Sequence, residues 1–183
     1  MGFFDSLFGG SADEDTSSED PIEDPSLDQL REGYMLDYEM RTWEVTKHAK
    51  YDYEGWPADE WTLETGDDLM FLEYEYDDGD VFLLSEPVEI TAVTADGEPF
   101  RAVVREQEPP TTVTYDGQEY VLSEEGPATR TVDDRTNELH YWVYDGEEGF
   151  VALERYGSSD WNVYAGREVE PFEFDNILPR AAS

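Results

Sequence analysis

The hydrophobic pattern is clearest in the run Leu69–Tyr76, where four apolar residues are followed by acid and tyrosine in strict alternation. A strand that is buried on both faces at its start and on one face at its end has this pattern. Turn-forming Asp and Gly residues lie on both sides of it, and a second apolar run, Val81–Leu84, follows. Two strand-length runs joined by a short Asp/Gly loop predict a β-hairpin.

A period of two continues through most of the chain from Tyr34 onward. The other predicted strands are 34–39, 42–53, 60–64, 88–95, 100–105, 111–115, 119–123, 130–132, 139–144, 150–156, 161–164 and 168–174. Regular short strands separated by Asp/Gly turns predict an all-β sandwich or barrel-like domain.

The second part of the chain repeats the pattern of the first at a spacing of about eighty residues. The aligned segments are Trp43-Glu44-Val45 with Tyr120-Val121-Leu122, Trp61-Thr62-Leu63 with Tyr141-Trp142-Val143, Phe71-Leu72-Glu73 with Ala152-Leu153-Glu154, and Asp80–Leu84 with Asp160–Tyr164. We therefore predict two similar antiparallel β-meander halves, 26–108 and 109–176, followed by a tail at 177–183. The alternative is that two meanders of alternating residues align by chance.

The N-terminus has a different composition. Residues 1–10 predict a short amphipathic helix ended by Gly9-Gly10, with its apolar side formed by Phe3, Phe4, Leu7 and Phe8. Residues 11–25 are mostly acidic, Ser, Thr and Pro, which is typical of a disordered linker. We expect the helix to dock on a protein partner that the sequence does not identify. Packing on its own domain and peripheral contact with a membrane are the alternatives.

A further short helix is predicted at Pro25–Gly33, with Ser26 as its N-cap.

The net charge is −36, from 11 Lys and Arg against 47 Asp and Glu. Such charge destabilises a compact protein in dilute buffer, but at about 1 M salt the Debye length falls to about 3 Å and the repulsion is screened. We therefore interpret the acidity as adaptation to a high-salt cytoplasm, as in haloarchaea. The alternative is an acidic nucleic-acid mimic; direct binding of nucleic acid is not expected.

Several kinds of site are missing from the sequence. It has no cysteine, no phosphate-binding glycine loop and no apolar run long enough to span a bilayer. We expect no cofactor and no metal site, since His48 and His140 are not spaced as a ligand pair. With no secretory signal visible, we expect a cytoplasmic protein.

Two carboxylates are candidates for acid–base chemistry. Glu73 and Glu154 each follow an apolar run and are equivalent in the proposed repeat. A carboxylate at such a position either satisfies buried hydrogen-bond donors or serves a site. A catalytic role, in a carboxylate-dependent hydrolase or lyase, requires both to line one pocket with few competing hydrogen bonds.

Aromatic residues are candidates for ligand binding. Trp56 lies in a predicted loop close to Tyr51 and Tyr53. Exposed together, these rings would form a groove for a cation, a peptide or a sugar. The other tryptophans are expected in the core.

Short aromatic motifs along residues 27–174 carry a family resemblance. They are Leu30-Arg31-Glu32-Gly33-Tyr34, Thr42-Trp43-Glu44-Val45, Glu60-Trp61-Thr62-Leu63, Phe71-Leu72-Glu73, Leu153-Glu154-Arg155-Tyr156-Gly157 and Trp161-Asn162-Val163-Tyr164-Ala165-Gly166. The chain resembles the uncharacterised prokaryotic domain-of-unknown-function family 4178, as a haloarchaeal-type member. The resemblance implies an all-β domain without an established activity, and it supplies no catalytic residues. We therefore expect a non-enzymatic binding or scaffold protein.

Overall fold

The computed structural model describes residues 25–76, 79–106 and 108–179. The predicted N-terminal helix, with Phe3, Phe4, Leu7 and Phe8, and most of the predicted linker lie outside the described residues. Thirteen antiparallel strands form one sheet. The strands are β1 (Met35–Tyr38), β2 (Arg41–Tyr53), β3 (Trp56–Thr65), β4 (Asp68–Tyr76), β5 (Asp80–Pro87), β6 (Val93–Ala95), β7 (Glu98–Pro99), β8 (Thr112–Tyr115), β9 (Gln118–Val132), β10 (Arg135–Gly146), β11 (Gly149–Tyr156), β12 (Asp160–Val169) and β13 (Phe174–Leu178). One helix, α1 (Phe100–Glu106), and short 3-10 turns at Leu27–Gln29, Ile90–Ala92 and Pro171–Glu173 complete the described chain.

Eight of the strands close into a ring. Their order is β2-β3-β4-β5-β12-β11-β10-β9, and β9 pairs with β2 again. The closing seam pairs Lys50 with Thr131, Tyr51 with Arg130 and Asp52 with Thr129. The prediction of an all-β sandwich or barrel-like fold is confirmed, and the ring itself consists of two antiparallel meanders, β2–β5 and β9–β12.

The strand registers of the two meanders correspond. Trp61 pairs with Leu72 between β3 and β4, and Trp142 pairs with Leu153 between β10 and β11. By strand register, Trp61 therefore corresponds to Trp142, which is one residue away from Tyr141, its partner in the sequence alignment. Glu73 corresponds to Glu154, as the sequence alignment predicts. Within each meander, every strand pairs antiparallel with the strand that follows it in the sequence. Such neighbours need only short hairpin turns to connect them.

Each meander packs an apolar core against its outer face. The first outer core consists of Leu27, Leu30, Leu36, Tyr38, Trp43, Val45, Trp61, Leu63, Leu72, Phe82, Leu84, Val169 and Phe174. The second outer core consists of Val93, Phe100, Val113, Tyr120, Trp142, Tyr144, Val151, Leu153 and Val163. Segments cross over between them: β13 pairs with β1 on the first core, while β6 pairs with β8 on the second.

One predicted strand is a helix. Residues 100–105 alternate weakly, but they form α1, and Phe100 at its start is fully buried in the second outer core. Burial of this ring anchors a short helix whose own length would not stabilise it. The predicted helix at Pro25–Gly33 is reduced to one 3-10 turn, and Ser26 makes no side-chain cap bond. The predicted strand at 88–95 begins only at Val93, after a 3-10 turn.

Glycine is required at the second seam of the ring, where β12 pairs with β5. Gly166 lies opposite Ser85, and a Cβ atom at Gly166 would lie 2.7 Å from both the Cζ of Phe150 and the Cβ of Ser85. It would also overlap the carbonyl oxygen of Leu84. The absent side chain therefore permits the close approach of three strands.

Candidate functional site

A pocket of about 420 Å³ is lined by residues from all eight strands of the ring. It therefore lies within the ring, and we call it the inner pocket. Its lining consists of Tyr53, Trp56, Pro57, Ala58, Glu60, Phe71, Glu73, Glu75, Tyr76, Leu83, Ser85, Glu124, Tyr141, Val143, Asp145, Phe150, Ala152, Leu153, Glu154 and Tyr164. Small-molecule sites in proteins occupy roughly 300–1,000 Å³, so this volume suits a small ligand.

The lining differs between the mouth and the interior of the inner pocket. Trp56 and Tyr76 line it with 66% and 71% of their surface exposed, which places them at the mouth. Glu60 and Glu154 are each only 7% exposed, which places them deep in the ring. Buried carboxylates are costly unless they are paired or hydrogen-bonded, so their partners decide what the pocket can bind.

Glu154 is held by three tyrosines. Its Oε1 accepts a hydrogen bond from Tyr51 at 2.8 Å, and its Oε2 accepts bonds from Tyr156 at 3.0 Å and Tyr164 at 3.3 Å. Burial raises the pKa of Tyr51 and of Tyr164, and the neighbouring carboxylates add to the effect. The three hydroxyls therefore stay protonated and act as donors to this carboxylate.

Glu60 is paired with an arginine. The Nη2 of Arg130 lies 2.9 Å from the Oε1 of Glu60 and donates a hydrogen bond to it. Burial raises the pKa of Glu60, and Arg130 opposes that rise. The guanidinium Cζ also lies 5.5 Å from the ring centroid of Tyr51, within the range of a cation–π contact. This pair connects β3 with β9 at the closing seam.

Glu73 has a less complete set of partners. It lies directly opposite Glu60 in the β3–β4 ladder, where like charges repel. The hydroxyl of Tyr53 donates a hydrogen bond to its Oε2 at 3.0 Å. Burial, then the charges of Glu60 and Glu75, hold the pKa of Glu73 well above its usual value, and a hydrogen bond with Glu75 adds to the effect. Glu73 therefore holds its proton to a higher pH than a free glutamate does.

The predicted ligand-binding aromatics are brought together in part. Trp56 is the first residue of β3, not part of a loop, and it pairs with Tyr53 across the β2–β3 ladder. Both line the inner pocket. Tyr51 is 3% exposed and stacks on Tyr53 with ring centroids 5.3 Å apart. It contributes a hydrogen bond to Glu154 and does not form an exposed groove.

Sequence reasoning missed part of the site, namely Glu60, Glu75, Arg130, Tyr156 and Tyr164. Glu75 follows Glu73 in the acid–tyrosine alternation, so the sequence already indicates that the two acids lie on the same face of the strand. Arg130 offered a weaker signal: it is one of few cations in an acidic chain and lies in a run of alternating residues. Its pairing with Glu60 depends on ring closure, which local patterns do not show.

The two histidines lie outside the inner pocket. The rings of His48 and Trp61 stack with centroids 5.5 Å apart, and those of His140 and Trp142 lie 4.4 Å apart. His48 also contacts Asp59 at 2.6 Å. Within the described ranges, no group of three or more His, Cys, Asp or Glu is arranged to hold a metal ion.

Comparison with known proteins places the chain in a family. Residues 31–171 match the family described as Domain of unknown function (DUF4178), and the chain belongs to it. It is also 29% identical over 181 residues to a protein of Aquifex aeolicus (strain VF5) described as "Uncharacterized protein", covering 98% of this chain and 100% of that one. No solved structure matches. In the part of the chain that the structure describes, no helix combines the length and apolarity needed to cross a membrane.

Proposed function

We propose that the protein binds a small ligand in the inner pocket. The observation that carries this proposal is one cavity of about 420 Å³ lined from all eight strands of the ring. The lining of this pocket has carboxyl and hydroxyl side chains around apolar rings. Such a mixture of apolar walls and a few placed polar groups is typical of ligand sites.

Binding fits the hydrogen bonding better than hydrolase or lyase chemistry does. Glu73 and Glu154 do line one pocket, as a catalytic pair must. However, Glu154 accepts three tyrosine hydrogen bonds, and these donors compete with a substrate for its two oxygens. Of the two carboxyl groups, Glu73 has fewer competing hydrogen bonds and remains the candidate for acid–base chemistry. The geometry therefore supports a non-enzymatic role.

A variant that fills the pocket tests the proposal. Ala152→Trp places a large ring in the inner pocket, and Leu83→Trp does so from the opposite meander. Val121→Trp is the matched control, since Val121 is 52% exposed and does not line the pocket. Saturation-transfer NMR is recorded with benzylammonium, benzyl alcohol and benzoate. We expect binding of at least one probe by the wild type and the control, and its loss in the filled variants that retain the wild-type circular dichroism. Unchanged binding in folded filled variants contradicts the proposal.

We further propose that the acidic surface adapts this protein to a high-salt cytoplasm, as in haloarchaea. The support is the net charge of −36 together with only two lysines, Lys47 and Lys50. Screening at molar salt removes the repulsion between surface carboxylates. Thermal unfolding in about 0.1 M and about 3 M KCl tests this, because the screened state should melt at a higher temperature. Equal melting temperatures would refute salt adaptation.

The repeated strand registers support the proposal of an internal duplication. The apolar segment at 1–10 is proposed to dock on a protein partner. Pull-down in molar KCl with the full chain and with a chain lacking residues 1–10 tests the docking. Capture of the same proteins by both chains would contradict it.

A further inference from the structure

The Glu73–Glu75 pair determines the charge of one wall of the inner pocket. The two residues lie two positions apart on β4, so their side chains project from the same face. Both side chains line the inner pocket. Like charges on one face of a strand repel each other, and a cation held between them relieves that repulsion.

In the described part of the chain, the groups packed around this pair supply no positive charge to it. Glu60 on β3 lies opposite Glu73 and is already paired with Arg130. Tyr53 from β2 donates a single hydrogen bond to Glu73, and on β5 the residue opposite is the apolar Leu83.

The far wall of the inner pocket adds negative charge. Glu154 lies there, and its three hydrogen-bonding partners are neutral tyrosines. Among the described residues that line the pocket, six carry a carboxyl group and none is Lys, Arg or His. The acids are only slightly more frequent here than in the chain at large, but Glu154 is buried with neutral hydrogen-bonding partners, and an uncompensated negative charge is unfavourable there. A positively charged ligand would compensate it.

We propose, building on the proposed function, that the ligand of the inner pocket is a small organic cation whose ammonium group is held between the carboxyl groups of Glu73 and Glu75. The ammonium N–H groups then donate to both carboxylates. Burial raises the pKa of Glu73, so a proton that its carboxyl holds in the free protein passes to the solvent when the cation binds.

The walls next to the pair suit the body of such a ligand. The rings of Phe71 and Tyr164 meet edge to face with centroids 5.3 Å apart, and Trp56 lies at the mouth. Aromatic faces attract cations and the apolar groups attached to them. Hard metal ions instead require several oxygens converging at short distance, and the described carboxylates are not grouped in that way.

Three probes of nearly equal shape separate this inference from the proposed function. Benzylammonium, benzyl alcohol and benzoate differ mainly in charge, and each is titrated against the full chain by calorimetry at constant salt. We expect benzylammonium to bind at least about tenfold more tightly than benzyl alcohol, and benzoate to bind most weakly of the three. Equal or tighter binding of benzyl alcohol overturns the cation inference and leaves the proposed function standing. Failure of all three probes to bind overturns the proposed function itself.

Proton release tests the assignment to Glu73. Titrations in two buffers of different ionisation enthalpy should show net proton release when benzylammonium binds to the wild type. Glu73→Gln should abolish the release and weaken binding about tenfold, whereas the control Glu119→Gln, on the exposed face of β9, should change neither. Unchanged affinity and proton release in Glu73→Gln would overturn the assignment.

Discussion

Replacing Arg130 by methionine should destabilise the ring at its closing seam. Arg130 pairs with Tyr51 across β2 and β9, and its Nη2 lies 2.9 Å from the Oε1 of Glu60, which is 7% exposed. Removing one partner of a buried pair leaves an uncompensated charge and costs about 3–5 kcal/mol. For a chain of this size that corresponds to a fall in melting temperature of about 6–20 °C.

The double-mutant cycle with Glu60→Gln gives the sharper result. In the wild type, Glu60→Gln should destabilise the protein, because Arg130 loses its carboxylate. In the Arg130→Met background the same change should stabilise it, because the unpaired charge is removed; the coupling energy should be about 1–3 kcal/mol. The exposed pair Arg41–Asp68 is the control, and Arg41→Met should cost no more than about 1 kcal/mol.

Urea unfolding in molar KCl is the appropriate assay, because salt screens surface charge far more than a buried pair. If Glu60→Gln lowers stability equally in both backgrounds, the two side chains do not interact and the described seam is wrong.

The remaining predictions concern one glycine and one carboxyl group. Gly166→Ala should lower the free energy of unfolding in urea by about 1–3 kcal/mol, because its Cβ would overlap Phe150. The control Gly79→Ala should not lower it, because a Cβ there meets nothing within 4 Å. Equal losses of stability in the two variants would contradict the close approach of the strands at Gly166. Because the pKa of Glu73 is raised in the folded protein, the stability that its proton gives is present below the unfolded-chain value of 4.5 and is lost as pH rises through the folded value. Glu73→Gln should therefore gain stability relative to the wild type as pH rises, and parallel curves would refute the raised pKa.

Local patterns were sufficient for the fold class and for part of the site. Alternation and Asp/Gly turns predict the strands directly, and the repeat led to Glu73 and Glu154 as equivalent positions that line one pocket. The helix at Phe100 was missed because burial in a distant core, not its own alternation, fixes that segment. Arg130 was missed because it meets Glu60 only after two strands seventy positions apart close the ring.

The direction of the acid–tyrosine alternation was also beyond the sequence. Period two shows that Glu73 and Glu75 share a face, but not which face turns inward. In the structure these acids line the inner pocket, while the ring of Tyr74 stacks on Phe82 with centroids 4.9 Å apart. The alternation of acid and tyrosine is compatible with either face of the strand turning inward. Only the packing of the outer cores decides which face does so.

Chemical-shift mapping with benzylammonium is the most direct measurement on the inner pocket. Ala58 belongs to the first meander and Ala152 to the second, and both line the pocket. A ligand within the ring should shift both methyl signals with one common binding curve and leave Ala95, buried outside the pocket, unchanged. Shifts confined to one meander, or to surface positions such as Met40, would show that the probe does not enter the ring.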